Sequence, residues 1–368
     1  MPCLVDHDRE TLETAFISAG ENPVHAGPVL RRFYQQHGKL DLGDLPISRG
    51  VREYLDQNIP LRRSAILRRS VASDGTTKLL IGFDSAGHSF ADQSDLVRQT
   101  ASGAVESVLM PSHRPGIAAG CVSSQMGCAM GCDFCASTKH GLQRNLQAGE
   151  IVEQFLHLKR EAADSGRRLR TLVFMGMGEP LLNFEAVTSA IHRIADPDLG
   201  GLGWRQITVS TVGIVPGIDQ LADENLNVHL AVSLHAPDDA TRGRLVPSNR
   251  RYPVAEVMSA ARRFLSKTRR IPTIEYCMLA GVNDSDEQAH LLAELMQNFR
   301  AHVNLIPYNP IGIGLSGISY QRPPRDRMIA FLDILRSRKV VAHFRDTRGD
   351  DVNAACGQLR ETEMGNDE

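Results

Sequence analysis

Nowhere in the 368 residues is there a run of about 18 consecutive apolar side chains, so no segment has the length of a membrane-spanning helix. Surplus charge is missing as well. Lys and Arg number 41 against 43 Asp and Glu, a formal net charge of −2. That balance does not announce a nucleic-acid binder, although it can hide a local basic patch. No internal repeat or low-complexity segment is present to suggest a repeat architecture. The chain opens Met-Pro-Cys-Leu with no secretory pattern. A reducing cytoplasm is therefore the expected compartment, and disulfides are not the expected fate of its 7 cysteines. A hydrophobic fraction of 42% and a charged fraction of 23% are those of a globular protein, long enough for one large domain and a smaller one.

Three cysteines stand together. The run Gly127-Cys128-Ala129-Met130-Gly131-Cys132-Asp133-Phe134-Cys135 has the spacing C-x3-C-x2-C. Three thiolates in one short loop can ligate one soft metal centre. Three rather than four would leave one iron of a [4Fe–4S] cluster open. This spacing is the signature of radical S-adenosylmethionine (SAM) enzymes, whose open iron takes the amino and carboxylate groups of the cofactor. A zinc site usually needs paired C-x2-C spacings and four protein ligands. His140 is near, but no fourth Cys or His falls at finger-like spacing.

Residues 1–100 mix helical patterns, at 8–19 and 29–36, with a strand-like piece at 77–83. They read as a small α+β accessory domain. Its basic segment 61–69 is the best local candidate for an RNA contact, with an ordinary amphipathic helix as the plainer reading. Arginine pairs recur at Arg62-Arg63, Arg68-Arg69, Arg167-Arg168, Arg250-Arg251, Arg262-Arg263 and Arg269-Arg270. Such pairs permit a phosphate-binding surface without demonstrating one. Over 101–350 the pattern becomes strand, loop, helix, repeated. Strand-like runs lie at 171–175, 206–210, 228–233, 273–278, 303–306 and 340–344, preceded by one near 116–122. Helical periodicity fills 148–163, 184–195, 254–265, 287–299 and 325–338. This alternation predicts an α/β fold with a parallel sheet, a partial (β/α)6 barrel. Residues 351–368 remain as a C-terminal segment.

In such barrels function gathers at the loops after the strand C-termini. The cysteine loop follows the first strand, and Gly176-Met177-Gly178-Glu179-Pro180 the second. Ser210 ends the third, Ser233-Leu234-His235 ends the fourth, and Asn309 follows the sixth. Glycine lets a backbone approach a ligand closely. Glu179 can accept a hydrogen bond from an ammonium group, as the methionine end of SAM would offer. Ser210, Ser233 and Asn309 would serve equally as caps, and His235 as a structural imidazole. Cys356 is followed by a glycine in a C-terminal loop and reads as an accessible thiol. Cys277, inside an apolar strand, reads as a small hydrophobe. Cys121 precedes the triplet by seven residues and is poorly placed as a fourth ligand.

Segment 121–128, Arg144-Asn145-Leu146, Met175-Gly176-Met177-Gly178-Glu179-Pro180-Leu181-Leu182-Asn183, Val232-Ser233-Leu234-His235-Ala236-Pro237 and Ala354-Ala355-Cys356-Gly357-Gln358-Leu359 together resemble the RlmN/Cfr family. These are radical SAM RNA methyltransferases that methylate an aromatic carbon of adenosine. The resemblance covers about residues 100–360. It implies a [4Fe–4S] cluster on Cys128, Cys132 and Cys135. It implies SAM, two molecules per turnover, on Gly178, Glu179, Ser210, Ser233, Leu234, His235 and Asn309. Cys356 would carry the methyl group, Cys121 would close a transient disulfide with it, and Glu106 would accept the ring proton. In the implied mechanism Cys356 is methylated by displacement, and a 5′-deoxyadenosyl radical then takes hydrogen from the S-methyl group. The methylene radical adds to the ring, Glu106 removes the proton, and Cys121 attacks the thioether sulfur.

The chain departs from the family pattern at Ala136-Ser137-Thr138-Lys139-His140-Gly141, where a Thr-Gly pair and a Gly-Phe pair are more usual. The loop over 311–319 is longer than typical, and Asp346 stands where many relatives carry a base. Arg348-Gly349-Asp350-Asp351 is more RlmN-like than Cfr-like and favours carbon 2 over carbon 8. The expected activity is methylation of carbon 2 of an adenosine in 23S rRNA, at the peptidyl transferase centre, and in tRNA next to the anticodon. The base would be presented unstacked, since A-form helices hide base edges. Carbon-8 methylation, which confers antibiotic resistance, is the alternative inside the family. A zinc-stabilised RNA-binding protein without catalysis is the alternative outside it. An electron donor such as flavodoxin or ferredoxin and a monomeric state complete the expectations.

Overall fold

The computed structural model describes residues 2–83, 103–345 and 348–359. Asp346, residues 84–100 of the expected accessory domain and residues 360–368 of the C-terminal segment lie outside the described residues. Three helices lead: α1 (Arg9–Ser18), α2 (Ala26–Gln35) and α3 (Arg49–Asn58). Asp8 and Ser48 cap the first and third, accepting from the backbone N–H of Thr11 at 2.8 Å and of Val51 at 3.1 Å. Helix α3 has no counterpart in the sequence reading, because Gly50 weakens its helical signal. A Cβ there would meet the carboxylate end of Glu21, with Oε1 at 2.0 Å.

Strands β1 (Ser64–Val71), β2 (Thr77–Phe83), β3 (Ala104–Pro111) and β4 (Ile117–Cys121) pair antiparallel in that order. Two short strands, β5 (Gln125–Gly127) and β6 (Leu142–Asn145), pair separately around the cysteine loop. The series β7 (Arg168–Phe174), β8 (Ile207–Thr211), β9 (His229–Ser233), β10 (Thr273–Met278), β11 (His302–Pro307) and β12 (Ala342–Phe344) then extends the sheet from β4. Every neighbour pair from β4 to β12 is parallel. The result is one ten-stranded sheet. Its parallel part matches the anticipated β/α series, and its antiparallel hairpin carries the sheet continuously past residue 100.

Helices follow the parallel strands: α4 (Ala148–Asp164), α5 (Phe184–Ala195), α6 (Val215–Asp223), α7 (Asp239–Leu245), α8 (Val254–Thr268), α9 (Asp286–Leu295) and α10 (Arg325–Ser337). The short α6 and α7 escaped the sequence pattern. Helix α6 opens Val-Pro-Gly, which reads as a loop, yet proline is at home in a first helical turn. The basic segment 61–69 is not a helix. It runs into β1, and two of its four arginines are tied down: Arg63 to Asp6 and Arg69 to Glu161. Arg263 likewise pairs with Asp219, and Arg262 stacks over Phe299. Arg63, Arg69, Arg262 and Arg263 are thus held by structural contacts.

Helix α4 holds the antiparallel and parallel parts together through Gln154, which is fully buried. Its Oε1 accepts from Ser107 Oγ on β3 and from the Ser123 N–H after β4, both at 2.8 Å. Its Nε2 donates to the Ser123 carbonyl at 3.0 Å. Ser123 Oγ donates in turn to the Glu106 carbonyl at 2.7 Å and accepts from the Met177 N–H at 2.9 Å. Replacing Gln154 by leucine would strand several of these groups without water. We expect Gln154→Leu to lower stability by about 2–4 kcal/mol, read as a shifted urea midpoint. An unshifted midpoint would remove the network from the account.

Candidate active site

The cysteine loop is shaped by its flanks. Gly127 turns the chain into it with φ +70°, and a Cβ there would stand 1.9 Å from the Gly141 carbonyl oxygen. Thr138 Oγ1 donates to the Cys135 carbonyl at 3.0 Å. Asp133 accepts from the Ser316 N–H at 2.7 Å and the Tyr320 hydroxyl at 2.5 Å. Lys139 Nζ donates to the Ile311 carbonyl at 2.7 Å. The long 311–319 loop is therefore fastened to the cysteine loop from both sides. Two positions where the sequence departs from the family, Ser137 and Lys139, carry contacts of their own.

Cys128, Cys132 and Cys135 line one cavity with about 900 Å³ of empty space, together with Glu179, Ser210, Ser233, His235 and Cys356. Among the described residues no three His, Cys, Asp or Glu side chains are placed to hold a single metal ion. Zinc draws all its sulfurs to within about 2.3 Å of one ion. A [4Fe–4S] cluster takes each thiolate on a different iron and accepts a wider triangle. Burial pushes the Cys128 thiol up to about 12, and the Cys132 and Cys135 thiols also rise. Bound metal is what deprotonates such thiols.

Arg242 gives an independent test of fit. Its side chain is fully buried, and its hydrogen bonds go to neutral oxygens, among them the Leu234 carbonyl at 3.0 Å and Asn249 Oδ1 at 2.9 Å. Burial lowers its pKa to about 10, while the neighbouring Cys132 and then Asp239, which makes no hydrogen bond to it, pull it the other way. A buried guanidinium without a hydrogen-bonded carboxylate suits an anionic thiolate–cluster unit beside it. The residues present fit a cluster.

The opposite wall fits an amino-acid head group. Glu179 is buried and accepts from the Leu181 N–H at 3.0 Å and the Val212 N–H at 2.8 Å. Burial pushes its pKa up to about 7, against those two bonds. Ser210 and Ser233 meet at 3.4 Å across the strand ends. Gly176 and Gly178 line the same cavity and are also closely packed from behind. A Cβ on Gly176 would lie 2.7 Å from the Val122 carbonyl oxygen, and one on Gly178 2.5 Å from Gln125 Cβ. Gln125 ties this loop to β6, accepting from the Glu179 N–H at 2.8 Å and donating to Asn145 Oδ1 at 2.7 Å.

His235 sits at φ +61° and takes the Cys277 N–H on Nδ1 at 3.0 Å. Phe134 packs edge-on at 4.7 Å between ring centroids. Burial lowers the imidazole pKa to about 3, so the ring is neutral and carries its proton on Nε2. Leu234 is buried in the core, and its backbone N–H donates to the Glu275 carbonyl at 3.0 Å.

A second cavity, with about 480 Å³ of empty space, lies behind the first. Cys121, Asn309, Arg345 and Cys356 line it, and Cys356 and Arg345 line both. The fold thus brings together two cysteines separated by most of the barrel. Burial, then the charge of Cys356, pushes the Cys121 thiol up to about 12. Asn309 Nδ2 donates to the Cys356 carbonyl at 3.2 Å, while its Oδ1 accepts from Arg322 at 3.0 Å. Glu106 lines neither cavity. It is buried on β3, with Lys78 Nζ 2.8 Å from its Oε1.

Sequence reasoning missed three charged groups here: Arg242, Arg345 and Glu275. Glu275 lies 3.8 Å from Arg345 and accepts from Asn304 Nδ2 at 2.9 Å. A lone charge inside an apolar strand such as Thr273–Met278 was the available signal.

The cysteine triplet at the mouth of a parallel β/α sheet defines a radical SAM protein, and the Radical SAM superfamily matches residues 122–293. A crystal structure of a radical SAM methyltransferase from Sphaerobacter thermophilus superposes with a TM-score of 0.87 at 40% identity, covering 98% of this chain and 99% of that one. The "Probable dual-specificity RNA methyltransferase RlmN 1" of Opitutus terrae is 49% identical over 98% of this chain and 97% of its own. The "Dual-specificity RNA methyltransferase RlmN" of Alkalilimnicola ehrlichii is 39% identical over 97% and 93%. The chain belongs to the RlmN family.

A neutral buried His235 has a consequence for acid stability. Its folded pKa lies below the unfolded 6.5, so the unfolded chain binds more protons between pH 6.5 and about 3. Its contribution to stability is present above pH 6.5 and is lost as pH falls through that window. Asparagine tolerates the left-handed backbone. We expect urea midpoints of His235→Asn to fall less steeply than wild type from pH 7 to pH 5. Parallel slopes would contradict the neutral assignment.

Proposed function

We propose that this protein methylates carbon 2 of adenosine in 23S rRNA and in tRNA, by way of a methyl group carried on Cys356. The placement of Cys356 on the wall shared by the two cavities carries this reading, together with family membership. Cys128, Cys132 and Cys135 would hold the cluster. Glu179, Gly178, Ser210, Ser233, Leu234, His235 and Asn309 would form the SAM site, with Asn309 acting through the Cys356 backbone it already holds. Bound there, cluster and cofactor would supply a transferable methyl group and, on reduction, a radical able to take hydrogen from it once it sits on sulfur. A flavodoxin or ferredoxin as reductant, a monomeric state and a cytoplasmic setting belong to the same reading.

The chain's own residues then divide the work. Cys356 Sγ, as thiolate, is the nucleophile that accepts the methyl group. Glu106 takes the ring proton on its carboxylate. Cys121 Sγ, as thiolate, attacks Cys356 Sγ; the bond from that sulfur to the transferred carbon breaks with its electron pair going to the carbon, which takes up a proton to become the methyl group, and the disulfide left behind is reduced by an external thiol. Arg345, facing both cysteines, offsets the burial that raises the Cys121 thiol.

Nucleoside mass spectrometry tests the reading directly. Reconstituted protein, reductant and SAM, with RNA from cells lacking the modification, should yield 2-methyladenosine; 8-methyladenosine or no product would overturn it. Cys356→Ala should abolish product while leaving the brown cluster chromophore intact, whereas normal methylation would remove the carrier role. Glu179, whose pKa burial pushes up to about 7, should make SAM binding weaken as pH falls from 8 to 6. Calorimetric titration should show that dependence lost in Glu179→Gln; a retained dependence would place the cofactor ammonium elsewhere.

A further inference from the structure

Lys78 belongs to the antiparallel hairpin, outside every motif the sequence singled out. Its ammonium is nonetheless turned inward. Nζ lies 2.8 Å from Glu106 Oε1, and the lysine side chain is only 12% exposed and the glutamate side chain 1%. The same Nζ donates to the Asn353 carbonyl at 3.3 Å, in the loop that leads to Cys356. An ammonium has three donors and can hold two such partners at once.

Strand register places these groups on one face. Lys78 is opposite Val108, and Val108 is opposite Cys121. Directly opposed residues in a sheet share a face, and so do residues two apart in a strand. Glu106, Lys78 and Cys121 therefore project to the same side, where Val108 and Cys121 line the second cavity. The turn of the same hairpin grips the Cys356 loop twice more. The Ser73 N–H donates to Asp351 Oδ2 at 2.8 Å, and the Gly349 N–H to Asp74 Oδ2 at 3.1 Å. Gly349 packs so closely that a Cβ would stand 2.7 Å from Ala354 Cβ and 2.9 Å from Thr76 Cγ2.

We infer that Lys78 is a positioning residue that holds the proposed base, Glu106, and the proposed methyl-carrying loop in one frame. It rests on the function proposed above. A fixed cation 2.8 Å from the buried carboxylate holds its direction until it takes the ring proton. Its second bond makes that aim depend on the Cys356 loop being seated.

The test uses the reconstituted full chain with RNA in single turnovers. Lys78→Met should still acquire the methyl group on Cys356 but form 2-methyladenosine at least about tenfold more slowly, with an unchanged KM for RNA and a build-up of the Cys356–RNA adduct. Lys78→Arg should recover most of the rate. In a Glu106→Gln background, Lys78→Met should cost little more, because the two act as one unit. An unchanged rate in Lys78→Met, or a full further loss on top of Glu106→Gln, overturns the inference. If Lys78→Met fails to fold, Lys78→Gln combined with Glu106→Gln removes both charges together. A rate matching Glu106→Gln alone supports the pairing, and a further tenfold loss, about 1.4 kcal/mol, refutes it. A wild-type protein that makes no 2-methyladenosine overturns the proposed function itself, a failure distinct from wild type and Lys78→Met being equally active.

Discussion

The docking of the C-terminal segment onto the cysteine loop is the contact on which the site depends. The Ala136 N–H donates to the Gly357 carbonyl at 2.7 Å, and Ser137 Oγ to the Leu359 carbonyl at 2.6 Å. Asn309 holds the Cys356 carbonyl from the other side. Without these bonds Cys356 would be held through the hairpin contacts at Gly349, Asp351 and Asn353, with nothing tying it directly to the loop of Cys128, Cys132 and Cys135. With them, its thiol stands on the wall between two cavities. One contains the candidate cofactor residues and the other contains Cys121.

Charge is arranged around that thiol in layers. Arg242 is buried beside Cys132, and Arg345 faces Cys121, Cys356 and Glu275. Two fixed guanidinium groups in a low-dielectric pocket favour anionic sulfur nearby, at a desolvation cost that the rest of the fold must offset. Glu179 and His235 are shifted the opposite way, toward their neutral forms, by burial. These residues are thus arranged to meet the charge that a cluster and a cofactor would bring.

Local signals made part of this legible in the sequence. The C-x3-C-x2-C spacing lies within one loop, and strands and helices of the barrel declare themselves through period and apolarity; the range 184–195 and strand 77–83 match the observed elements. What failed was non-local or locally ambiguous. Segment 61–69 carries arginines that pair with Asp6 and Glu161, partners remote in sequence, so its strand character was hidden behind its charge. The proximity of Cys121 to Cys356 exists only after the sheet has formed and the last segment has folded back. Glycines 176 and 178 were legible as special, and the close packing of Val122 and Gln125 against them became visible only in the structure. Arg345 and Glu275 offered single charges with no motif around them.

Peptide mass spectrometry of Cys356 tests the central claim most directly. The reconstituted protein would be incubated anaerobically with SAM and no RNA, then digested, and a second sample would be digested after turnover with RNA and no added thiol. The account predicts one methyl group on the Cys356 peptide in the first sample and a Cys121–Cys356 disulfide in the second. RNA methylation proceeding with an unmodified Cys356, or a methyl group found on a different cysteine, would contradict it.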